Sequence, residues 1–297
     1  MFKSALACSL LLAMSPIAVA DVTAEDSFAF RVGAFYASSD SYMNVTNPET
    51  GGIFPLDFED DLFLAEDQFL PFFEFVWSFN DRHHVYVDWK SLHRTANTPY
   101  VEDTWIFTNP NDDKTYIVEA GAQLKTTLNI DIMRLGYGYD LFQGDDYTFG
   151  ASIGLHTMFI KTAFEGTIGL CSPTVMANSA CNDFVANPRV VDESLTAPLP
   201  DIGIYGTYEF IPGWTIGGHA QYFAIKYDDV KGSLIDIRAS VETNVGDNWQ
   251  LSVGYNYYEV DVDYAQNVSF GDQDFHLADY NLNYSFTGPR FSVQYHF

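Results

Sequence analysis

The chain has 297 residues, with 40 Asp and Glu against 14 Lys and Arg, a formal net charge of −26, 47% hydrophobic residues and 16% aromatics. A charge of that sign excludes bulk electrostatic attraction to nucleic acid and a polybasic membrane-surface role, and the apolar content excludes a disordered chain. So acidic a chain carrying 25 Phe, 19 Tyr and 5 Trp must place its aromatics either in a core or outward in lipid.

Residues 1–20 read MFKSALACSLLLAMSPIAVA, with Lys3 ahead of an apolar stretch and Ala18-Val19-Ala20 ahead of Asp21. This is the pattern of a secretory signal, with cleavage expected after Ala20 and residues 21–297 forming one domain. No later stretch approaches the roughly 18 consecutive apolar residues of a transmembrane helix. Export without a helical span leaves a periplasmic, a secreted or an outer-membrane barrel protein.

Beyond the signal, period-2 alternation dominates. It predicts strands near 27–45, 53–80, 83–107, 115–141, 147–165, 197–211, 214–228, 232–246, 248–264 and 274–297, about ten in all. Tight turns fall at Asn80-Asp81-Arg82, Gln143-Gly144-Asp145-Asp146, Ile211-Pro212-Gly213 and Gly246-Asp247-Asn248. Longer connections lie around 46–52, 108–114, 166–196, 228–232 and 265–273. Short and long connections alternate, as periplasmic turns and external loops do in a membrane barrel. Within 166–196, Cys171 and Cys181 are predicted to close a small loop as a disulfide.

The stretch 249–257 shows the strand design. Trp249, Leu251, Val253, Tyr255 and Tyr257 share one face, and Gln250, Ser252, Gly254 and Asn256 share the other. An apolar face with an aromatic at each end suits a tilted strand crossing lipid. The predicted fold is therefore all-β: a closed, antiparallel, up-and-down transmembrane β-barrel with long strand extensions and external loops. In the last segment the apolar face moves from Tyr280, Leu282, Tyr284 and Phe286 to Phe291, Val293, Tyr295 and Phe297, which predicts a bulge at Thr287-Gly288-Pro289.

The chain ends in FSVQYHF, from Phe291 to Phe297. This ending resembles the terminal strand of Gram-negative outer-membrane β-barrels, and in architecture the chain is similar to the small OmpA-, OmpW- or opacity-type barrels. The resemblance implies a place in the bacterial outer membrane, contact with its lipid and lipopolysaccharide, and recognition of Phe297 by the barrel-assembly machinery. The run LDFEDDLFL at Leu56–Leu64 also resembles a stretch of poorly characterised outer-membrane barrel families. Neither resemblance implies an activity.

With outward faces so assigned, the lumen is predicted to hold Arg31, Glu74, Asp88, Lys90, Lys125, Asp131, Arg134, His156, Asp201, Glu209, His219, Asp236, Arg238, Glu242, Arg290 and His296. A ten-strand barrel is only slightly wider than one that its own side chains fill, so this mixed-charge set either plugs the lumen or lines a narrow polar path. Two acidic ladders, Asp57-Glu59-Asp61 and Glu259-Asp261-Asp263, fall at i, i+2, i+4. Clustered carboxylates suit a divalent cation, shared at the outer rim with lipopolysaccharide phosphates, or else form a solvated rim. No other cofactor is indicated.

The sequence carries neither an H-x-S pair like that of lipid A deacylases nor an NHxSNG stretch like that of the outer-membrane phospholipase. HExxH, GxSxG and phosphate- or dinucleotide-binding motifs are also missing. The leading expectation is a porin-like narrow channel or small-solute binding barrel. The alternative is a structural or surface-interaction, adhesion-type barrel without conductance; behind both stands a lipid- or peptide-hydrolysing enzyme.

Overall fold

The computed structural model describes residues 27–46, 53–109, 114–171, 184–227, 230–270 and 273–297. Thirteen strands account for most of them: β1 (Ser27–Thr46), β2 (Ile53–Asp57), β3 (Asp67–Phe79), β4 (His83–Thr98), β5 (Trp105–Asn109), β6 (Lys114–Val118) and β7 (Leu124–Gln143) come first. They are followed by β8 (Tyr147–Cys171), β9 (Phe184–Ile211), β10 (Trp214–Tyr227), β11 (Val230–Val245), β12 (Trp249–Phe270) and β13 (Gln273–His296). The chain is a closed, antiparallel ten-strand barrel. Its wall runs β1-β3-β4-β7-β8-β9-β10-β11-β12-β13 and closes where β13 pairs with β1, from Ala29–His296 to Thr46–Asp279. Three short strands lie outside the ring: β2 pairs with β1, and the β5–β6 hairpin joins β8 through Tyr116–Leu170 and Ile117–Gly169.

Alternation builds the wall, since successive side chains of a strand point to opposite faces. On β12, Trp249, Leu251, Val253, Tyr255 and Tyr257 are exposed, as are Ile202, Ile204 and Tyr208 on β9 and Ile153 and Leu155 on β8. Aromatics pair across strands on this outer face, Phe73 stacking on Trp89 at 5.5 Å and Trp249 meeting Tyr295 edge-on at 4.8 Å. An exposed apolar band around a closed barrel is the surface that lipid requires. The tight turns gather at one end, where Asn80 and Asp81 take φ of +50° and +56° and Gly213 and Gly246 φ of +79° and +74°. In barrels of this kind that end faces the periplasm.

The structure corrects the predicted elements in three ways. The long strands expected over 53–80, 83–107 and 115–141 each break in two, leaving β2, β5 and β6 outside the wall. The connection expected over 166–196 is largely strand, because β8 and β9 stay in one register from Tyr147–Tyr208 to Cys171–Phe184. Pro188 sits inside that pairing, opposite Thr167; a proline in a Ser- and Asn-rich stretch reads as a breaker. The bulge expected at 287–289 is absent. Against β12 the pairing runs unbroken through those residues, and against β1 it lapses at Pro289 and Gly288 but resumes at Thr287 in the same register. What changes there is the content of the lumen.

Gly288 marks the place. Its φ is +153°, and a Cβ there would lie 2.0 Å from the Tyr36 carbonyl oxygen. The strands approach too closely for any side chain.

Candidate functional site

The inward faces form stacked layers. Nearest the middle of the barrel is a polar one, and every wall strand contributes to it. Glu74 of β3 accepts from Arg238 of β11 and from Arg290 of β13 (2.9 Å), with Arg31 of β1 at 3.5 Å. Arg31 also reaches Glu242 at 3.0 Å. Asp236 of β11 accepts from Lys90 of β4 (2.9 Å) and Asn256 of β12 (3.3 Å), with His219 of β10 at 3.6 Å. Arg134 of β7 donates to both oxygens of Asp201 of β9 (3.0 and 3.3 Å) and lies 3.9 Å from Asp88. His156 of β8 approaches the same Asp201 at 3.2 Å.

Five cations (Arg31, Lys90, Arg134, Arg238, Arg290) thus meet five carboxylates (Glu74, Asp88, Asp201, Asp236, Glu242). The five cations and five carboxylates balance in number. Desolvated charges are tolerable only when paired and hydrogen-bonded, and here each one has an opposite charge in reach.

Above it, toward the loop end, the lumen turns apolar. Phe35, Leu70, Phe72, Leu92, Ile132, Met158, Leu234, Tyr258 and Phe286 are buried in one cluster. Tyr258 stacks on Phe286 at 4.7 Å, and His156 meets the Tyr258 ring edge-on at 6.2 Å. Cations of the lower layer seat against rings of the upper one, Lys90 Nζ 5.0 Å from the Tyr258 centroid and Arg290 4.2 Å from that of Phe72. Between the layers remains a cavity of about 10 Å³, bounded by Phe35, Leu70, Phe72, Lys90, Asn256 and Arg290, room for no more than one water.

The run Leu56–Leu64 closes the top. Residues 58–62 form a turn, held by Asp61 N–H donating to Asp57 O (3.0 Å) and Leu64 N–H to Phe58 O (3.0 Å). Leu56, Phe58, Leu62 and Leu64 are all buried in the cluster below. Arg94 of β4 pairs with Glu59 and donates to Ser41 Oγ (2.8 Å), which itself donates to Glu59 (2.6 Å). Thr98 donates to the Leu62 carbonyl at 2.9 Å.

Of the residues expected in the lumen, the structure brings Arg31, Glu74, Asp88, Lys90, Arg134, His156, Asp201, His219, Asp236, Arg238, Glu242 and Arg290 into one network. Glu209 accepts from the Gly213 N–H at the turn end, and His296 meets Gln294 there. Lys125 and Asp131 are a correction. They lie on the outer face, Lys125 pairing with Glu165 at 3.0 Å and Asp131 meeting His93 at 3.1 Å. The β7 register runs unbroken from Leu124 to Asp140, so odd-numbered residues cannot share the Arg134 face. Tyr258, Tyr284 and Phe286 were not expected inside, although Tyr284 and Phe286 have the parity of Arg290.

Asp57, Glu59 and Asp61 are also corrected, because they lie in and around a turn and not along an extended chain. Asp57 Oδ1 accepts from the Glu59 and Asp60 N–H groups (2.9 and 2.8 Å), Asp61 Oδ2 from Asp57 N–H (2.7 Å), and Glu59 turns inward. Glu259, Asp261 and Asp263 do form a ladder, on the face opposite buried Tyr258 and Val260. Asn281 donates to Asp261 (3.3 Å) and Asp263 (2.9 Å), and Asn283 to Glu259 (3.2 Å) and Asp261 (3.1 Å). On the same extension, burial and the Asp261, Asp40 and Glu259 carboxylates push the Tyr42 hydroxyl above its ordinary pKa. Among the described residues no three His, Cys, Asp or Glu side chains converge as a metal site. Cys181, and with it the pairing to Cys171, lies outside the described residues, as does the signal segment 1–20.

No family model matches the chain, and no curated protein matches it. Solved structures do. The outer-membrane protease OmpT from Escherichia coli aligns with a TM-score of 0.54 at 12% identity, covering 92% of this chain and 98% of that one. Ail, the attachment invasion locus protein of Yersinia pestis, aligns at 0.33 and 9% identity over 92% and 99% of the two chains. The toluene transporter TbuX of Ralstonia pickettii aligns at 0.37 and 11% identity over 93% and 90%. At such identities the likeness concerns the fold. Closed wall, apolar outer band and the likeness of fold to OmpT agree: the chain is a bacterial outer-membrane β-barrel protein.

Proposed function

We propose that the protein is a non-conducting barrel that holds a rigid extracellular platform for surface interaction. The filled lumen carries this reading. A charge-paired layer, an apolar layer and an inserted turn follow one another along the axis, and the cavity lined by Phe35, Phe72, Lys90 and Arg290 between the first two holds only about 10 Å³. Strands β8, β9, β12 and β13 continue past the outer aromatics, so hydrogen-bonded wall, in place of loose loop, is presented outside. The Phe297 N–H donates to the Phe28 carbonyl at 2.9 Å, which extends the seam between β1 and β13.

Planar-bilayer recording of the purified protein tests the reading, with electrical silence as the expected result. Stable unitary conductance that changes on Arg134→Ala or Arg238→Ala would overturn it in favour of a narrow channel. A second reading, small-solute binding, is favoured by a cavity of about 220 Å³ at the loop end, between the Pro55–Leu62 segment and Val101-Glu102-Asp103. Its three carboxylates, Asp61, Glu102 and Asp103, fit a cationic solute with an apolar body better than an anion.

A further inference from the structure

At the turn end of the lumen, below the charge-paired layer, three neighbouring wall strands bring a hydroxyl, an imidazole and a carboxylate into line. Ser78 of β3 stands directly across from His84 of β4, and its Oγ lies 2.8 Å from His84 Nδ1. His84 Nε2 lies 3.0 Å from Asp140 Oδ2 on β7. The Asp140 side chain is only 3% exposed, against 21% for His84. Tyr205 of β9 donates its hydroxyl to Asp140 Oδ1 at 2.5 Å, leaving Oδ2 to the imidazole. The Tyr205 ring reaches that place across Gly150, where a Cβ would stand 2.3 Å from it. The Asp140 N–H donates to the Arg82 carbonyl at 2.9 Å, which anchors the backbone.

The order of these contacts fixes the proton. An ionised carboxylate only accepts, so His84 must carry its proton on Nε2. Nδ1 is then a lone pair, and the Ser78 hydroxyl donates to it. That is the arrangement that activates a serine nucleophile, and it is recognised by geometry and not by chain position. The alternation sets the access. Ser78 faces inward between outward-facing Trp77 and Phe79, so its hydroxyl meets the aqueous mouth and not the acyl chains of the bilayer. Asp81, Asp145, Asp146 and Asp247 lie on exposed turns at that end and outnumber the exposed cation Arg82, which disfavours anions.

We propose that Ser78 and His84 form a nucleophile and general base for acyl transfer from water-soluble esters without negative charge, entering from the periplasmic end. Asp140 and Tyr205 are positioning residues. Ser78 Oγ adds to the ester carbonyl while its proton passes to His84 Nδ1. The carbon–oxygen bond to the alcohol then breaks, and the alcohol leaves with the proton from His84. Water, deprotonated by His84, adds to the acyl-serine; the acid leaves, and Ser78 recovers its proton. The step consumes one ester and one water and requires no oxidant or metal. It does not depend on whether the lumen above conducts.

The test uses the full chain in detergent micelles, a fluorophosphonate probe and p-nitrophenyl acetate. In the reaction expected, the probe phosphonylates Ser78 with loss of fluoride, located by peptide mass on the unaltered protein. Labelling and ester turnover should fall by at least about 100-fold in His84→Gln and in Asp140→Asn. In both variants the loss should fall on kcat, with KM little changed. Asp140 and Tyr205 are the titratable groups in contact with His84. Ser78→Cys keeps a nucleophile, and its alkylation by iodoacetamide should slow when His84→Gln is added. Absence of label at Ser78 in the folded wild type would overturn the proposal, as would labelling or turnover indifferent to His84.

Discussion

The two interior layers use the same ten strands and opposite chemistry. In the charge-paired layer Arg290 and Ser292 of β13 face inward, while Phe291 and Val293 face out. A few residues earlier on the same strand Tyr284 and Phe286 face inward, while Ser285 and Asn283 take the opposite face, Asn283 under the Glu259 and Asp261 carboxylates. β1 repeats the inversion, with Arg31 inside and Phe30 and Val32 outside at one level, then Phe35 and Ala37 inside and Asp40 outside at the next. Where the wall touches lipid its interior is ionic; where it stands in water it has the oily core of a soluble protein. The barrel therefore changes solvent partway along its strands without any break in register, and the crossing lies near Gly288.

The sharpest way to break the ionic layer is Glu74→Ala, which leaves Arg31, Arg238 and Arg290 without their shared acceptor. A loss of about 3–5 kcal/mol is expected in urea unfolding from liposomes. Phe286→Ala tests the apolar layer by opening a void beside Tyr258, and about 3 kcal/mol should be lost in the same assay. If Phe286→Ala costs nothing, the upper lumen is not a packed core. Gly288→Ala probes the crossing itself. A methyl group forced against the Tyr36 carbonyl should cost about 1–3 kcal/mol, visible as a lowered temperature of heat-modifiable migration. Lys125→Ala removes an exposed pair with Glu165 and should change stability by no more than about 0.5 kcal/mol. A larger change would place Lys125 in the ionic layer after all.

Much of the ionic layer was legible in the sequence. Alternation alone names Glu74, Arg134, Asp236 and Arg238, because lipid forces every polar residue of a spanning strand inward. The same rule fails beyond the membrane. There water meets the outer wall, the apolar face turns inward, and a sequence read with one rule throughout takes the inversion for a slipped strand at Thr287-Gly288-Pro289. Lys125 and Asp131 belong to that upper zone, where the outward position is the solvated one. The turn at Asp57–Leu64 escaped for a different reason. Acidic residues two apart suit an extended chain, yet Asp57 and Asp61 spend their oxygens on backbone N–H groups, which bend the chain into a turn. The Ser78, His84 and Asp140 constellation spans three strands and 63 positions of chain, so no local motif could carry it.

The inserted turn also orders events in time. It follows β1 and precedes β3, so it is among the first parts of the wall to be synthesised. Its anchor Arg94, which pairs with Glu59, lies over the Tyr284 ring of β13, the last strand, which closes onto β1. Contacts so distant in sequence are slow to form, because the intervening chain has to be arranged before they are rewarded. The stopper's complete seat thus joins one of the first segments made to the last strand of the wall.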